Sequence, residues 1–220
     1  MNSILIYADG SSIGNPGPGG WGVIIRNGSE VKEFGGREKT TTNNRMELRA
    51  AIEALRSIEV EGEIEVRTDS KYVIKGITEW VESWKANGWK TTNKSPVENK
   101  DLWEELLLEV EGKSINWRYV EAHAGVPGNE RVDEIAQGFA RGGNLDLYSG
   151  SKEGYGVDLD IFEAEEPFYI SFANGVFGRH KLWKECEVVV RGVAGAKFKK
   201  VTSESQAKKL EESWRLDAER

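Results

Sequence analysis

The first apolar run, Ile4-Leu5-Ile6-Tyr7-Ala8, is rich in β-favouring residues and reads as a strand that begins inside a core. It carries an acid, Asp9, directly into Gly10, Ser11 and Ser12. Ile13 to Gly20 is turn material. Trp21 to Arg26 predicts a second strand, and Asn27-Gly28 is a two-residue hairpin signal that returns the chain as an antiparallel third strand over 29–38. The period then changes. Leu48, Ala51, Ile52, Leu55 and Ile58 recur at helical spacing behind a polar stretch, Thr40 to Asn44, that offers N-caps. Ile64 to Thr68 predicts a fourth strand, followed at once by Asp69 and Ser70. Helices over 71–76 and 77–87 meet near Gly76, and a polar loop holding Trp89 leads to an amphipathic helix over 101–111. Residues 115–120 predict a fifth strand, and 130–141 a helix with Val132, Ile135, Ala136 and Phe139 on its apolar face.

The order β-β-β-α-β-α-α-α-β-α predicts an α/β domain over 1–142, a mixed five-stranded sheet with flanking helices. Residues 143–166 read as an acidic connector containing Gly and Ser, with a short strand near Leu145 to Tyr148. Residues 167–216 predict a small α+β domain in the order β-β-α-β-α. Its strands fall at 168–172, 176–177 and 196–198, and its helices at 183–190 and 203–214, the last capped by Ser203.

Composition narrows the setting. At 38% apolar and 30% charged, the chain is of a soluble globular kind. No apolar run approaches the ~18–20 residues of a membrane span. The single cysteine, Cys186, excludes an intrachain disulfide and is expected to be a small buried hydrophobe. With no secretory signal, a reducing cytoplasm is expected. The net charge of −7 weighs against a generic nucleic-acid binder, but the charges are patterned. Residues 146–166 hold seven acids and one base, and residues 167–201 seven bases and two acids.

Asp9 alone reads as a turn cap. Glu47, Asp69 and Asp133 change that reading. Two of the four acids follow strands and two lie in the first turns of helices. If strands one and four are neighbours, Asp9 and Asp69 converge at one edge of the sheet. Converging carboxylates repel unless a cation intervenes. Hard oxygen ligands without a Cys or His cluster favour Mg²⁺ or Mn²⁺ over Zn²⁺. Two such ions suit an in-line phosphoryl displacement.

The segments Tyr7-Ala8-Asp9-Gly10-Ser11, Thr42-Asn43-Asn44-Arg45-Met46-Glu47-Leu48, Thr68-Asp69-Ser70-Lys71-Tyr72-Val73 and His123-Ala124-Gly125 through Asn129-Glu130-Arg131-Val132-Asp133 closely resemble bacterial-type ribonuclease HI. The likeness covers residues 1 to about 142. It implies an endonuclease that cuts the RNA strand of RNA–DNA hybrids and leaves 5′-phosphate and 3′-hydroxyl ends. It makes Asp9, Glu47, Asp69 and Asp133 the metal ligands, with Asp9 bridging two ions. His123 would assist turnover from a mobile loop. Asn15, Asn43 and Asn44 would contact substrate backbone and sugars, and Thr42 a DNA phosphate; their competing role is turn and cap chemistry. Gly10 would leave room for a nucleic-acid backbone. The stretch from Trp80 to Trp103 resembles the family's basic protrusion, so Trp80, Trp84, Lys85 and Trp89 are candidate substrate contacts. For Trp80 and Trp84, four apart on one helix face, core packing competes. Glu82 and Glu98 make this protrusion less basic than is usual in the family.

In the last domain, Phe168-Tyr169, Trp183, Cys186 and Ala196-Lys197-Phe198-Lys199-Lys200 resemble the hybrid-binding domain of eukaryotic-type ribonuclease H1, also found in the viroplasmin family. The resemblance implies that Tyr169, Trp183 and Phe198 offer rings to the DNA strand, and that Lys199 and Lys200 meet phosphates or the RNA backbone. The competing role of these rings is the core of a very small domain. A monomer acting on RNA–DNA hybrid is expected. A non-catalytic hybrid-binding protein and another nuclease of the same fold are the rivals. The four intact acids argue against the first and their flanking motifs against the second.

Overall fold

The computed structural model describes residues 3–59, 62–161, 168–201 and 204–218. Strand β1 (Ser3–Ser12) is nearly wholly buried from Ile4 to Gly10, because it lies inside a sheet of order β5-β4-β1-β2-β3-β6. Its antiparallel neighbour β2 (Gly17–Asn27) turns at Asn27-Gly28 into β3 (Glu30–Thr41), as the hairpin signal predicts. On its other side β1 pairs in parallel with β4 (Glu63–Thr68), which in turn pairs in parallel with β5 (Ser114–Tyr119). Strands one and four are therefore neighbours, the condition under which Asp9 and Asp69 meet.

Helix α1 (Asn43–Arg56) lays Leu48, Ala51, Ile52 and Leu55 onto the sheet core with Ile4, Ile6, Val23 and Val66. The two helices expected to meet near Gly76 are one helical run: α2 (Lys71–Lys75), a π-helical turn over Gly76–Trp80, and α3 (Val81–Ala86). Gly76 faces the indole of Trp103, which stands on α4 (Lys100–Val110); a Cβ at Gly76 would lie 2.0 Å from that ring. The missing side chain lets the buried Trp103 fill the core. Helix α5 (Pro127–Ala140) begins three residues earlier than its apolar pattern suggests, so Asp133 falls in its second turn.

The sheet has six strands rather than the expected five. Residues Ser149–Ser151 form β6, antiparallel to β3, and not the stretch 145–148. The cause is a set of side-chain anchors to Glu33 of β3, described below, which no alternation pattern announces. The described part of the expected connector, up to Leu159, belongs to this first compact unit; connector residues 162–166 lie outside the described residues.

The second unit contains 160–220, together with residues 123–127. Here β7 (Phe168–Ala173) and β8 (Val176–His180) form a hairpin, and β9 (Lys197–Val201) pairs with the other edge of β7. Helix α6 (Trp183–Val190) packs on β7, and α7 (Glu204–Ala218) follows β9; the expected cap Ser203 lies outside the described residues. Alternate residues of β7 face opposite ways. Phe168, Ile170 and Phe172 meet Ala207, Leu210 and Trp214 of α7 in the core, while Tyr169 faces the other side. Cys186 is buried, as expected.

Candidate active site

Asp9 lies within β1, 5% exposed, opposite Gly22 of β2. The strand continues past it to Ser12, so the acid caps no turn. Asp69 follows the last residue of β4. Glu47 is one turn into α1 rather than in its first turn, and is 8% exposed. One carboxylate oxygen from each of these three acids lies within 4.8 Å of the other two.

Their supports are short-range. Gly10 donates its N–H to Glu47 Oε2 at 3.1 Å, and Asn43 Nδ2 donates to Glu47 Oε1 at 3.2 Å. A Cβ at Gly10 would sit 2.1 Å from the backbone nitrogen of Glu47, so any larger residue would push α1 off β1 and carry Glu47 away. The space expected to admit a nucleic-acid backbone at Gly10 is thus filled by the helix. Asp69 Oδ2 accepts from Asn129 Nδ2 at 2.9 Å. Asn129 was not among the predicted site residues. Its place one helical turn before Asp133 on α5 is a local signal, but its partner Asp69 lies 60 positions away.

Burial first, and then the charges of Asp69 and Asp133, push the Asp9 carboxyl well above the usual carboxylate range. Burial, followed by Asp9 and Asp69, does the same to Glu47. Asp133 stands outside the 4.8 Å group, and both its oxygens accept from Gln137 Nε2, at 2.7 and 2.9 Å. Its charge is nevertheless felt at Asp9.

Three converging acids with no counter-charge among them suit a divalent cation. The donor set is wholly carboxylate oxygen, which fits a hard ion. The other amide atom of Asn129, Oδ1, is buried with no hydrogen-bond partner among the described residues, which fits a polar group in the site other than a protein side chain.

The remaining predicted residues are more dispersed. Asn15 Oδ1 accepts the backbone N–H of Asn43 at 3.1 Å, satisfying one of the free donors at the start of α1. Thr42 is the N-cap by position, but its side chain makes no capping bond; Asn44 is exposed. His123 is exposed on the loop between β5 and α5, with a left-handed φ of 55°. The rings of Trp80 and Trp84 lie 5.6 Å apart, tilted by 49°, and Trp84 lies 5.5 Å from Trp103, against the core. Lys85 bonds to Glu82 at 3.1 Å. Trp89 is half-buried, with the Lys100 ammonium 5.7 Å from its ring centre.

In the second unit Tyr169, Trp183 and Phe198 form a row of rings, with centroids 5.5 and 4.9 Å apart, on the side of the sheet away from Trp214. Phe198 is 51% exposed. Phe198 and Lys200 pair with Ser171 and Tyr169, so Lys200 shares the ring face. Lys199, paired with Ile170, points to the other face.

Comparison with known proteins assigns the first unit. The RNase H family model matches residues 1–141. The chain belongs to the ribonuclease H family. Curated ribonucleases H from Marinobacter nauticus and Alcanivorax borkumensis are 53% identical over 133 residues and 52% identical over 136 residues. These matches span 60% and 62% of this chain and 90% of each relative. Among solved structures, LC9-RNase H1, described as a type 1 RNase H with the type 2 active-site motif, superposes with a TM-score of 0.61 at 34% identity. That superposition covers 68% of this ribonuclease H and 78% of the other chain. The family match ends before β6 and before residues 160–220, which make up most of the second unit.

Proposed function

We propose that this ribonuclease H is an endonuclease that hydrolyses the RNA strand of RNA–DNA hybrids by a two-metal-ion mechanism, leaving 5′-phosphate and 3′-hydroxyl ends. Its working setting is the cytoplasm, as a monomer. The convergence of Asp9, Glu47 and Asp69 on this family's fold carries the reading. Asp9, Glu47, Asp69 and Asp133 would hold the ions, with Mg²⁺ the physiological choice and Mn²⁺ an alternative. When bound, such ions supply an activated water and stabilise the charge that develops on the phosphate. The chain's own contribution is orientation. Gly10 and Asn43 fix both oxygens of Glu47, and Asn129 fixes one oxygen of Asp69. His123, exposed on its glycine-containing loop, accepts or returns a proton during turnover. Asn15, Thr42, Asn43 and Asn44 face substrate backbone and sugars, where 2′-hydroxyl contacts distinguish RNA from DNA.

The second unit is proposed to hold the same hybrid, with Tyr169, Trp183 and Phe198 stacking on sugars or bases and Lys200 meeting a phosphate. A tethered second site raises effective substrate concentration without new chemistry. The ring row supports this, because Phe198 is half exposed and none of the three rings belongs to the cluster of Ile170, Val201, Ala207 and Trp214.

Labelled RNA–DNA hybrid, duplex RNA and duplex DNA, each incubated with and without Mg²⁺, test the reading. Only the RNA of the hybrid is expected to be cut, and only with the ion. Asp69→Asn is expected to abolish cleavage while hybrid binding persists. Full activity in that variant would remove Asp69 from the site.

A further inference from the structure

Beyond the family match, residues 144–159 return to the catalytic unit and grip it at two joints. Leu145 lies against Gly138 of α5, where a Cβ would meet its side chain at 2.5 Å. The first joint is Glu33, 4% exposed on β3. Tyr155 donates its hydroxyl to Glu33 Oε1 at 2.6 Å, and Tyr148 its backbone N–H to Oε2 at 3.0 Å. Arg131 closes on the same carboxylate with two bonds, Nε to Oε1 at 2.8 Å and Nη2 to Oε2 at 2.7 Å, and also donates to the Asp146 carbonyl at 3.1 Å. Burial works to raise the Glu33 carboxyl, but Arg131, Tyr155 and Tyr148 outweigh it and hold it below the ordinary range. A buried carboxylate held by a bidentate guanidinium and two further donors is a stiff joint. Arg131 sits on α5 between Asn129 and Asp133.

The second joint is at the far end of the segment. Leu159 is 3% exposed, and its carbonyl accepts from Arg67 Nη1 at 3.0 Å and from the Tyr7 hydroxyl at 3.4 Å. Arg67 Nη1 also donates to the Tyr7 hydroxyl oxygen at 2.7 Å. Tyr7 and Arg67 are register partners on β1 and β4, each two residues ahead of an acid, Asp9 and Asp69. The Tyr7 ring also lies against Gly128, next to Asn129, where a Cβ would be 2.5 Å away. The two joints therefore reach β1, β4 and α5, three of the four places that carry the acids.

We propose that residues 144–159 are a strap that positions Asp9, Asp69 and Asp133 through Glu33–Arg131 and Tyr7–Arg67, so that the working catalytic unit ends at Leu159 and not where the family match ends. The proposal rests on the ribonuclease H reading for the role of the acids. Groups that orient a site from outside it act on rate more than on substrate affinity. The joints described above end on Glu33, Arg131, Arg67 and Tyr7, none of them a predicted substrate contact, so their loss is expected in kcat.

The test uses the full chain. Tyr155→Phe with Arg67→Met removes side-chain bonds at both joints. Amide exchange over residues 5–9 and 129–133 is expected to rise roughly tenfold, since local opening governs exchange. The rate constant kcat is expected to fall roughly tenfold, with KM changed by less than about twofold. Faster exchange with an unchanged kcat, a change confined to KM, or unchanged exchange each overturns the proposal. Should the double variant not fold, Tyr155→Phe alone, which deletes one hydroxyl, is read the same way, with a fall in kcat of about threefold expected and an unchanged kcat overturning it. If the wild-type chain cuts no hybrid, the ribonuclease reading fails by itself, while the exchange measurement still decides whether the strap holds the acid-bearing elements.

Discussion

In the first unit Trp103 is wholly buried, its ring packed on Gly76 and Trp84 and its indole N–H given to the Tyr72 hydroxyl at 3.0 Å. In the second unit Phe198 is half exposed and stands in a row with Trp183 and Tyr169. Charge follows the same division. The first unit buries Asp9 and Glu47, whereas Lys199 and Lys200 of the second are exposed. The difference is one of task and size. A six-stranded unit has the volume to bury rings and enough surrounding dipoles and donors to orient carboxylates. A unit of three strands and two helices buries a smaller fraction of its surface. It still leaves large rings outside a core formed by Ile170, Val201, Ala207 and Trp214. Apolar surface that a small unit withholds from its own core is surface available to a partner.

The contrast can be broken or sharpened. The largest effect is expected from Trp103→Ala, which should cost about 3–5 kcal/mol of stability in urea unfolding, as large-to-small core changes do. Phe198→Ala should cost less than about 0.5 kcal/mol in the same assay, the usual range for a surface change. It should instead weaken hybrid binding at fixed salt by about 1–3 kcal/mol, the worth of one stacked base. Equal stability losses in the two variants would erase the distinction between an inward and an outward aromatic cluster.

A smaller effect tests the buried charge. The Asp9 carboxyl is raised by burial and by Asp69 and Asp133, so the folded chain holds its proton more tightly than the unfolded chain. Without metal, the resulting penalty is absent below the unfolded pKa of about 3.9, and it grows as pH rises from there through the folded value. In chelator, Asp9→Asn is therefore expected to raise Tm by a few degrees at neutral pH and to leave it unchanged near pH 3. Added Mg²⁺ should reverse the order by stabilising the wild type. A variant less stable than wild type in chelator at neutral pH would show that the acid cluster carries no such repulsion.

How much of this was legible depends on sequence distance. The run from Ile4 to Ala8, the Asn27-Gly28 hairpin and the helical period from Leu48 to Leu55 are local signals, and they become β1, the β2–β3 turn and α1. The acids were legible because each sits in a short motif of its own. Three features were not. The bond from Asn129 to Asp69 spans 60 positions, and the fork from Arg131 to Glu33 spans 98. Strand β6 is the short polar sequence Ser-Gly-Ser, with no alternation to reveal it.

The sequence by itself determined the order of β1 to β5 and α1 to α5, the acids Asp9, Glu47 and Asp69 that the fold brings together, and the presence of a large and a small unit, since periodicity, turn chemistry and short motifs act over a few residues. The tertiary structure alone decided that Gly10 makes room for α1 and not for substrate, that Glu47 is clasped by Gly10 and Asn43, and that residues 144–159 bind back to the catalytic unit. Each of those depends on which backbone comes within a few ångströms of which side chain. That proximity is set by the packing of the whole sheet and its helices, and no local pattern encodes it.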